Sequence, residues 1–211
     1  MKHSRYLVNL AGIWIALCVL SACSTILKPV PDKSKYFLLT PISQSDTGSA
    51  AQDHTGDLAL GLGPIKFPDY LDRSEVIRRV EPNQLQISET DHWAEPLKEN
   101  FIRVLSEDLS ILLGEAQIIN FPWYSSRHID YQVTIYIERF EGDAQGNAQL
   151  AGQWSIEDPA TTKVLDRGNV NLSASSGSGE DQGAAALSQA LGNFSRQIAT
   201  AVRQVNAQRH R

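Results

Sequence analysis

Two periods of apolar residues organise the chain. Leu97, Phe101, Val104, Leu105, Leu109 and Leu112 recur three to four residues apart, as do Leu187, Leu191, Phe194, Ile198, Val202 and Val205. That spacing predicts two amphipathic helices, each with one buried stripe. The first is expected to begin near Trp93, with Asp91 as N-cap, Glu95 in the first turn and Pro96 early enough to be tolerated. Gly114 is a natural stop for it. The other period is two. Leu58, Leu60 and Leu62 alternate with Ala59, Gly61 and Gly63, which predicts a strand with one bulky face and one close-approach face. Tyr36–Leu39, Glu75–Arg79 (a short strand or a turn) and the pair Leu85 and Ile87 are further short candidates. Three longer strands are expected over residues 131–172. Tyr131, Val133, Ile135 and Ile137 form one apolar face. Ala148, Leu150, Gly152, Trp154 and Ile156 form a second, and Val164–Leu172 follows, bent near Gly168. Reversals are expected at Glu141–Asn147 and at Asp158–Pro159. Such a run reads as an antiparallel meander with one wet face.

The order is therefore strands, helix, meander, helix. The expected fold is a single α/β domain of two or three layers, its mixed or antiparallel sheet covered by two main helices. Ser43–Gly56 and the Ser/Gly-rich Ser173–Gly183 read as loops.

The first residues do not fit this pattern. Lys2, His3 and Arg5 precede the apolar run Leu10–Leu20, and Leu20-Ser21-Ala22-Cys23 follows. The run suits a secretory signal and is short for a membrane span. Its end resembles the bacterial lipoprotein box, whose cysteine is lipidated and becomes the first mature residue. The chain thus divides into a signal peptide (1–22), a Pro- and Lys-containing tether (23–34) and the domain (35–211). Cys23 is the expected lipidation site, carrying acyl chains such as palmitate that anchor the domain. Ser24, following it, favours by the same resemblance the periplasmic face of the outer membrane.

Composition changes meaning after that cleavage. The 211 residues hold 19 Lys and Arg against 24 Asp and Glu, a net charge of −5. Loss of Lys2 and Arg5 makes the mature chain more acidic, which argues against nucleic acid as a partner. Cys18 leaves with the signal and Cys23 is taken by lipid, so one mature chain forms no disulfide. His54, His92, His128 and His210 lack metal-ligand spacing, and no cofactor fingerprint is present. Ser176-Gly177-Ser178-Gly179 lacks the apolar strand context of a nucleophile elbow. Asp72, Glu75, Glu95 and Glu99 read as surface charge and helix capping rather than acid–base groups, so no catalytic residue is assigned. Two clusters stand out. Asp72-Arg73 and Arg78-Arg79 suit either structural ion pairs or a protein-contact edge. Phe121-Pro122-Trp123-Tyr124 suits either an exposed interface or a core plug.

The lipoprotein box, Tyr36-Phe37-Leu38-Leu39, Leu71-Asp72-Arg73-Ser74-Glu75-Val76-Ile77-Arg78-Arg79 and Trp93-Ala94-Glu95-Pro96-Leu97, in that order, resemble the ABC-type transport auxiliary lipoprotein family. The resemblance implies a non-enzymatic adaptor at the outer membrane. Its implied partners are an MCE-domain tunnel protein, indirectly a polytopic inner-membrane protein, outer-membrane lipid, and copies of itself in a homo-oligomeric ring. It marks Asp72, Arg73, Arg78, Arg79, Trp93 and Pro96 as fold- or interface-defining; Trp123 and Tyr124 join them as interface candidates from the residues alone. Two other readings stand beside it. A lipoprotein that carries lipid itself requires an apolar cleft between helix and sheet. A periplasmic hydrolase requires a nucleophile within hydrogen-bond reach of a base.

Overall fold

The computed structural model describes residues 31–43, 58–114, 116–124, 128–175 and 182–209. The signal peptide, Cys23 and most of the tether lie outside the described residues, as do most of the Ser43–Gly56 loop, His54, residues 176–181 and His210. Residues 1–33 form one unit, of which only 31–33 are described; residues 34–211 form a second, compact unit.

The meander is present at the heart of that unit. Strands β6 (Tyr131–Asp143), β7 (Ala148–Glu157) and β8 (Val164–Ala174) pair antiparallel in sequence order. On β6, Tyr131, Val133, Ile135 and Ile137 are buried while Tyr136 and Glu138 are exposed, so one face is covered and the other is open. The first reversal is tighter than its sequence suggests. β6 continues through Glu141 to Asp143, and the turn takes only residues 144–147. Asp143 closes it by accepting the Gln145 and Asn147 N–H groups, each at 2.8 Å.

Five further strands complete the sheet: β1 (Lys35–Phe37), β2 (Ala59–Lys66), β3 (Glu75–Glu81), β4 (Gln84–Trp93) and β5 (Gln117–Asn120). Their order is β1-β4-β3-β6-β2-β5, with β7 and then β8 on the opposite side of β6. β2 lies parallel beside the first half of β6, and β3 lies parallel beside its end. β1 and β5 are also parallel to their neighbours, which makes the sheet mixed. Strand β2 is buried on both faces because Gly61 admits a ring. A Cβ there would stand 3.0 Å from Ile129 and 3.1 Å from the Trp123 indole.

Helices α1 (Leu97–Leu112) and α2 (Gln182–Arg209) pack on each other and on the same sheet, giving two layers. Their predicted stripes are the buried ones, from Leu97 to Leu112 and from Leu187 to Val205. Phe67, Phe101 and Phe140 meet edge to face between helix and sheet, with centroids 5.0–6.3 Å apart. Fully burying Phe101 and Phe140 contributes about 1.5–3 kcal/mol each.

The start of α1 differs from its sequence reading. Trp93 ends β4 rather than opening the helix, and Asp91 is a strand residue rather than an N-cap. The Trp93 N–H donates to the Ser74 carbonyl at 2.7 Å, and the Ala94 N–H to Phe37 at 2.9 Å, so both amides belong to the sheet. Pro96 takes the N-cap place, with extended ψ of 130°, and its carbonyl accepts the Asn100 N–H at 3.0 Å. A proline also disfavours helical backbone at the residue before it, which holds Glu95 out of the helix.

Candidate functional site

The adjacent arginines of β3 reach opposite sides of the strand, as the period of two requires. Arg78 pairs with Asp91 of β4 at 2.9 Å. Arg79 donates from Nε to Glu141 Oε1 at 2.5 Å and from Nη1 to the Pro82 carbonyl at 3.0 Å. Arg139 approaches the same Glu141 oxygen at 3.2 Å, and the Tyr70 hydroxyl bonds Oε2. Glu141 is 1% exposed, so its carboxylate depends on these three donors. Burial, then the Glu141 hydrogen bond and charge, push the Tyr70 phenol well above its usual range. The hydrogen bond to Glu141 likewise raises Arg79. Asp72 and Arg73 behave differently. They stand exposed in the turn between a 3-10 turn (Asp69–Leu71) and β3, and form no ion pair among the described residues.

The Phe121–Tyr124 segment follows β5 at an edge of the sheet. Trp123 is half-buried over Gly61 and meets Phe121 edge to face at 5.3 Å. Phe121 is 53% and Tyr124 83% exposed. Both candidate readings of this segment have a residue: the Trp123 ring packs inward, while Phe121 and Tyr124 present aromatic surface. At the opposite edge of the path, Tyr36 of β1 and Leu38 just after it are exposed.

One set of residues escaped the sequence reading. The segment after β1 is tied to both helices through polar groups inside their apolar stripes. The Thr40 N–H donates to Ser188 Oγ at 3.1 Å, and the Ile42 N–H to Asp108 Oδ1 at 2.9 Å. The Ser195 hydroxyl donates to Asp108 Oδ2 at 2.7 Å. Burial pushes the Asp108 carboxyl above its usual range, against the lowering effect of the Ile42 and Ser195 donors and of Arg196. The signal was an acid and two serines at core positions of mainly apolar helix faces. These groups fasten the segment after β1 to both helices.

Ser188 and Ser195 bond backbone carbonyls and Asp108, not a histidine. Among the described residues no group of three or more His, Cys, Asp and Glu is placed to hold a metal. No helix among them is long and apolar enough to cross a membrane. Phe101, Phe140, Phe194 and the aliphatic stripes pack together between helices and sheet.

The model of the ABC-type transport auxiliary lipoprotein component family matches residues 37–199, and the chain belongs to that family. The intermembrane transport lipoprotein PqiC of Escherichia coli (strain K12) is 24% identical over 152 residues, covering 72% of this chain and 73% of that protein. PqiC of Shigella flexneri matches to the same extent. Among solved structures, a Xanthomonas campestris protein superposes with a TM-score of 0.67 at 18% identity, covering 84% of this chain and 99% of its own. An uncharacterised protein gives a TM-score of 0.64 at 19% identity, covering 80% and 98%. At these identities the two structures share the fold.

Proposed function

We propose that this auxiliary lipoprotein is an adaptor anchored by lipid to the periplasmic face of the outer membrane. It docks a PqiB-like, MCE-domain tunnel protein of an intermembrane lipid transport system to that membrane. The family match over residues 37–199 carries the reading, with PqiC, a relative named for intermembrane transport, as its support. In this reading Cys23 bears the acyl chains and residues 23–34 are the tether. Arg78, Arg79, Trp93 and Pro96 hold the fold, and Trp123 covers Gly61. Asp72, Arg73 and Tyr124 are contact surface. Several copies form a ring, in which avidity multiplies weak individual contacts. The polytopic inner-membrane protein is reached only through the tunnel protein.

Chemical crosslinking of the full-length chain in envelopes, followed by mass spectrometry, tests this directly. Recovery of an MCE-domain protein is expected; consistent recovery of the chain without one overturns the reading. In the same preparation Cys23→Ala is expected to move the protein from the membrane to the soluble fraction. Unchanged fractionation removes the lipid anchor from the proposal.

A further inference from the structure

We infer that Tyr36, Leu38 and the groove between β1 and the start of α2 lie against the anionic phospholipid headgroups of the membrane that anchors the chain. The inference rests on the lipid-anchor reading of Cys23, and it gives the domain an orientation that the anchor alone does not. Exposed Tyr36 and Leu38 alternate with half-buried Phe37 and buried Leu39, so the two stand on one side of the chain, away from the core. They are 67% and 46% exposed. The Tyr36 ring meets that of its ladder partner His92 with centroids 5.6 Å apart. β1 pairs only with β4, so this is an edge of the sheet. Beside it runs a groove of about 560 Å³, walled by Leu38 and by Ala184 and Ala185 of α2 among others. Among the described residues its lining holds one charged side chain, Lys35, and no acid. An amphipathic ring, an aliphatic side chain and an ammonium on a long apolar stem suit a headgroup boundary, where one side is apolar and the other wet.

Two features of the chain specify a lipid surface. The first is reach. Tyr36 follows Cys23 by thirteen residues. A flexible tether of that length spans roughly 20 Å on average, whereas a domain of this size is roughly 40 Å across. The tether is thus shorter than the domain is wide. The acyl chains therefore hold some face of the domain close to the bilayer, and the face that begins with β1 is the nearest along the chain. The second feature is charge. Residues 24–35 hold Lys28, Lys33 and Lys35 against Asp32, on a chain whose net charge is −5. An anionic surface attracts these lysines and repels the acidic remainder, so the field that draws the tether down also turns β1 toward the headgroups. Acyl chains and basic residues next to them reinforce each other in this way at membrane surfaces.

The test uses the lipidated chain in vesicles of phosphatidylethanolamine and phosphatidylglycerol. With Cys23 acylated, Leu38→Cys supplies a single thiol for a polarity-sensitive NBD dye. Val164→Cys is the control, because Val164 is 47% exposed, much as Leu38 is, and lies on β8, on the other side of β6 from β1. The expected result is that a phospholipid with a doxyl group near its head quenches the dye at position 38 several-fold more than the dye at position 164. Vesicles of phosphatidylcholine alone, or Lys28→Gln with Lys33→Gln, should each remove most of that difference. Tyr36→Ser should do the same with an unchanged melting curve. The lysine pair lies in the tether, so its variant decides even where Tyr36→Ser lowers the melting temperature. Equal quenching at positions 38 and 164 on a membrane-bound chain overturns the orientation and leaves the anchor and the docking reading standing. Quenching at position 38 that persists in phosphatidylcholine and in the lysine variant overturns the anionic headgroup as occupant. Blue-shifted emission at position 38 that the doxyl lipid does not quench, and that fades as the chain is diluted in the vesicles, assigns the patch to a second copy and also overturns it. A Cys23 that carries no acyl chain by mass spectrometry removes the anchor and this inference together.

Discussion

Asp72-Arg73 and Arg78-Arg79 lie within eight residues of each other and look alike in sequence, yet the structure treats them oppositely. The first pair is exposed in a turn and forms no ion pair among the described residues. The second is built into the sheet, with Arg78 on Asp91 and Arg79 on the buried Glu141. The difference lies in what each partner has lost. Glu141 has given up water, so its donors are obligatory. Asp72 and Arg73 have given up nothing and remain available to another molecule. A charged block can therefore divide into scaffold and solvent-exposed charge at the point where the strand begins.

Breaking the buried half should have the largest effect. Arg79→Leu leaves Glu141 in the interior with Arg139 and Tyr70 alone, and the expected loss is about 3–5 kcal/mol. In a domain of this size that lowers the melting temperature by roughly 10 °C or more, measured by circular dichroism. Adding Glu141→Gln to Arg79→Leu should restore part of the loss, because the orphaned charge goes too. A double variant no better than the single one would show that the pair does not act as a buried unit.

Asp108 provides a different buried carboxylate, held by neutral donors instead of arginines. Its folded value is raised by burial, with Glu107 adding to the rise and Arg196 opposing it. The folded state therefore binds the proton more tightly than the unfolded chain does. The stability this contributes is fully present below the ordinary carboxylate value of 3.8 and is lost as pH rises through the folded value. Asp108→Asn should remove that downward component from a plot of unfolding free energy against pH. Its amide oxygen still accepts from Ile42, so folding persists. A variant curve parallel to the parent's above pH 3.8 would count against the shift.

These two carboxylates also show where sequence reasoning stops. Both helices and the three-stranded meander were legible, since their stripes and alternation are local and run for many residues. The placement of β2 between β5 and β6 was not. A parallel strand finds its neighbours through distant segments, and Leu60 meets Tyr131 only after seventy residues of chain. Trp93 misled for a related reason: its N–H is claimed by Ser74 in the sheet, a bond with no local signature. Glu141 read as part of a turn, because an acid next to Gly142 resembles one. Only the approach of β3 to the end of β6 reveals it as the centre of a cluster. The Asp72–Arg79 block was visible as charge, but its division into two roles depends on burial.

Arg78 lies between the extremes. Its pair with Asp91 is about a third exposed on the arginine side, so Arg78→Ala should cost about 0.2–1 kcal/mol in thermal unfolding. A loss as large as that of Arg79→Leu would erase the distinction between the two neighbours.

The exposed pair gives the smallest expected change in stability and the sharpest test of the comparison. Exchanging its charges, Asp72→Arg with Arg73→Asp, preserves net charge and touches no ion pair among the described residues. Stability should stay within about 0.5 kcal/mol of the parent. If this turn is contact surface, crosslinked recovery of the proposed MCE-domain partner from envelopes should fall while the melting curve stays in place. Reduced capture with an unchanged melt separates recognition from folding, which Arg79 cannot do, since its loss disturbs both. An unfolded exchange variant, or one that captures its partner as well as the parent does, would return Asp72 and Arg73 to the class of plain solvated charge.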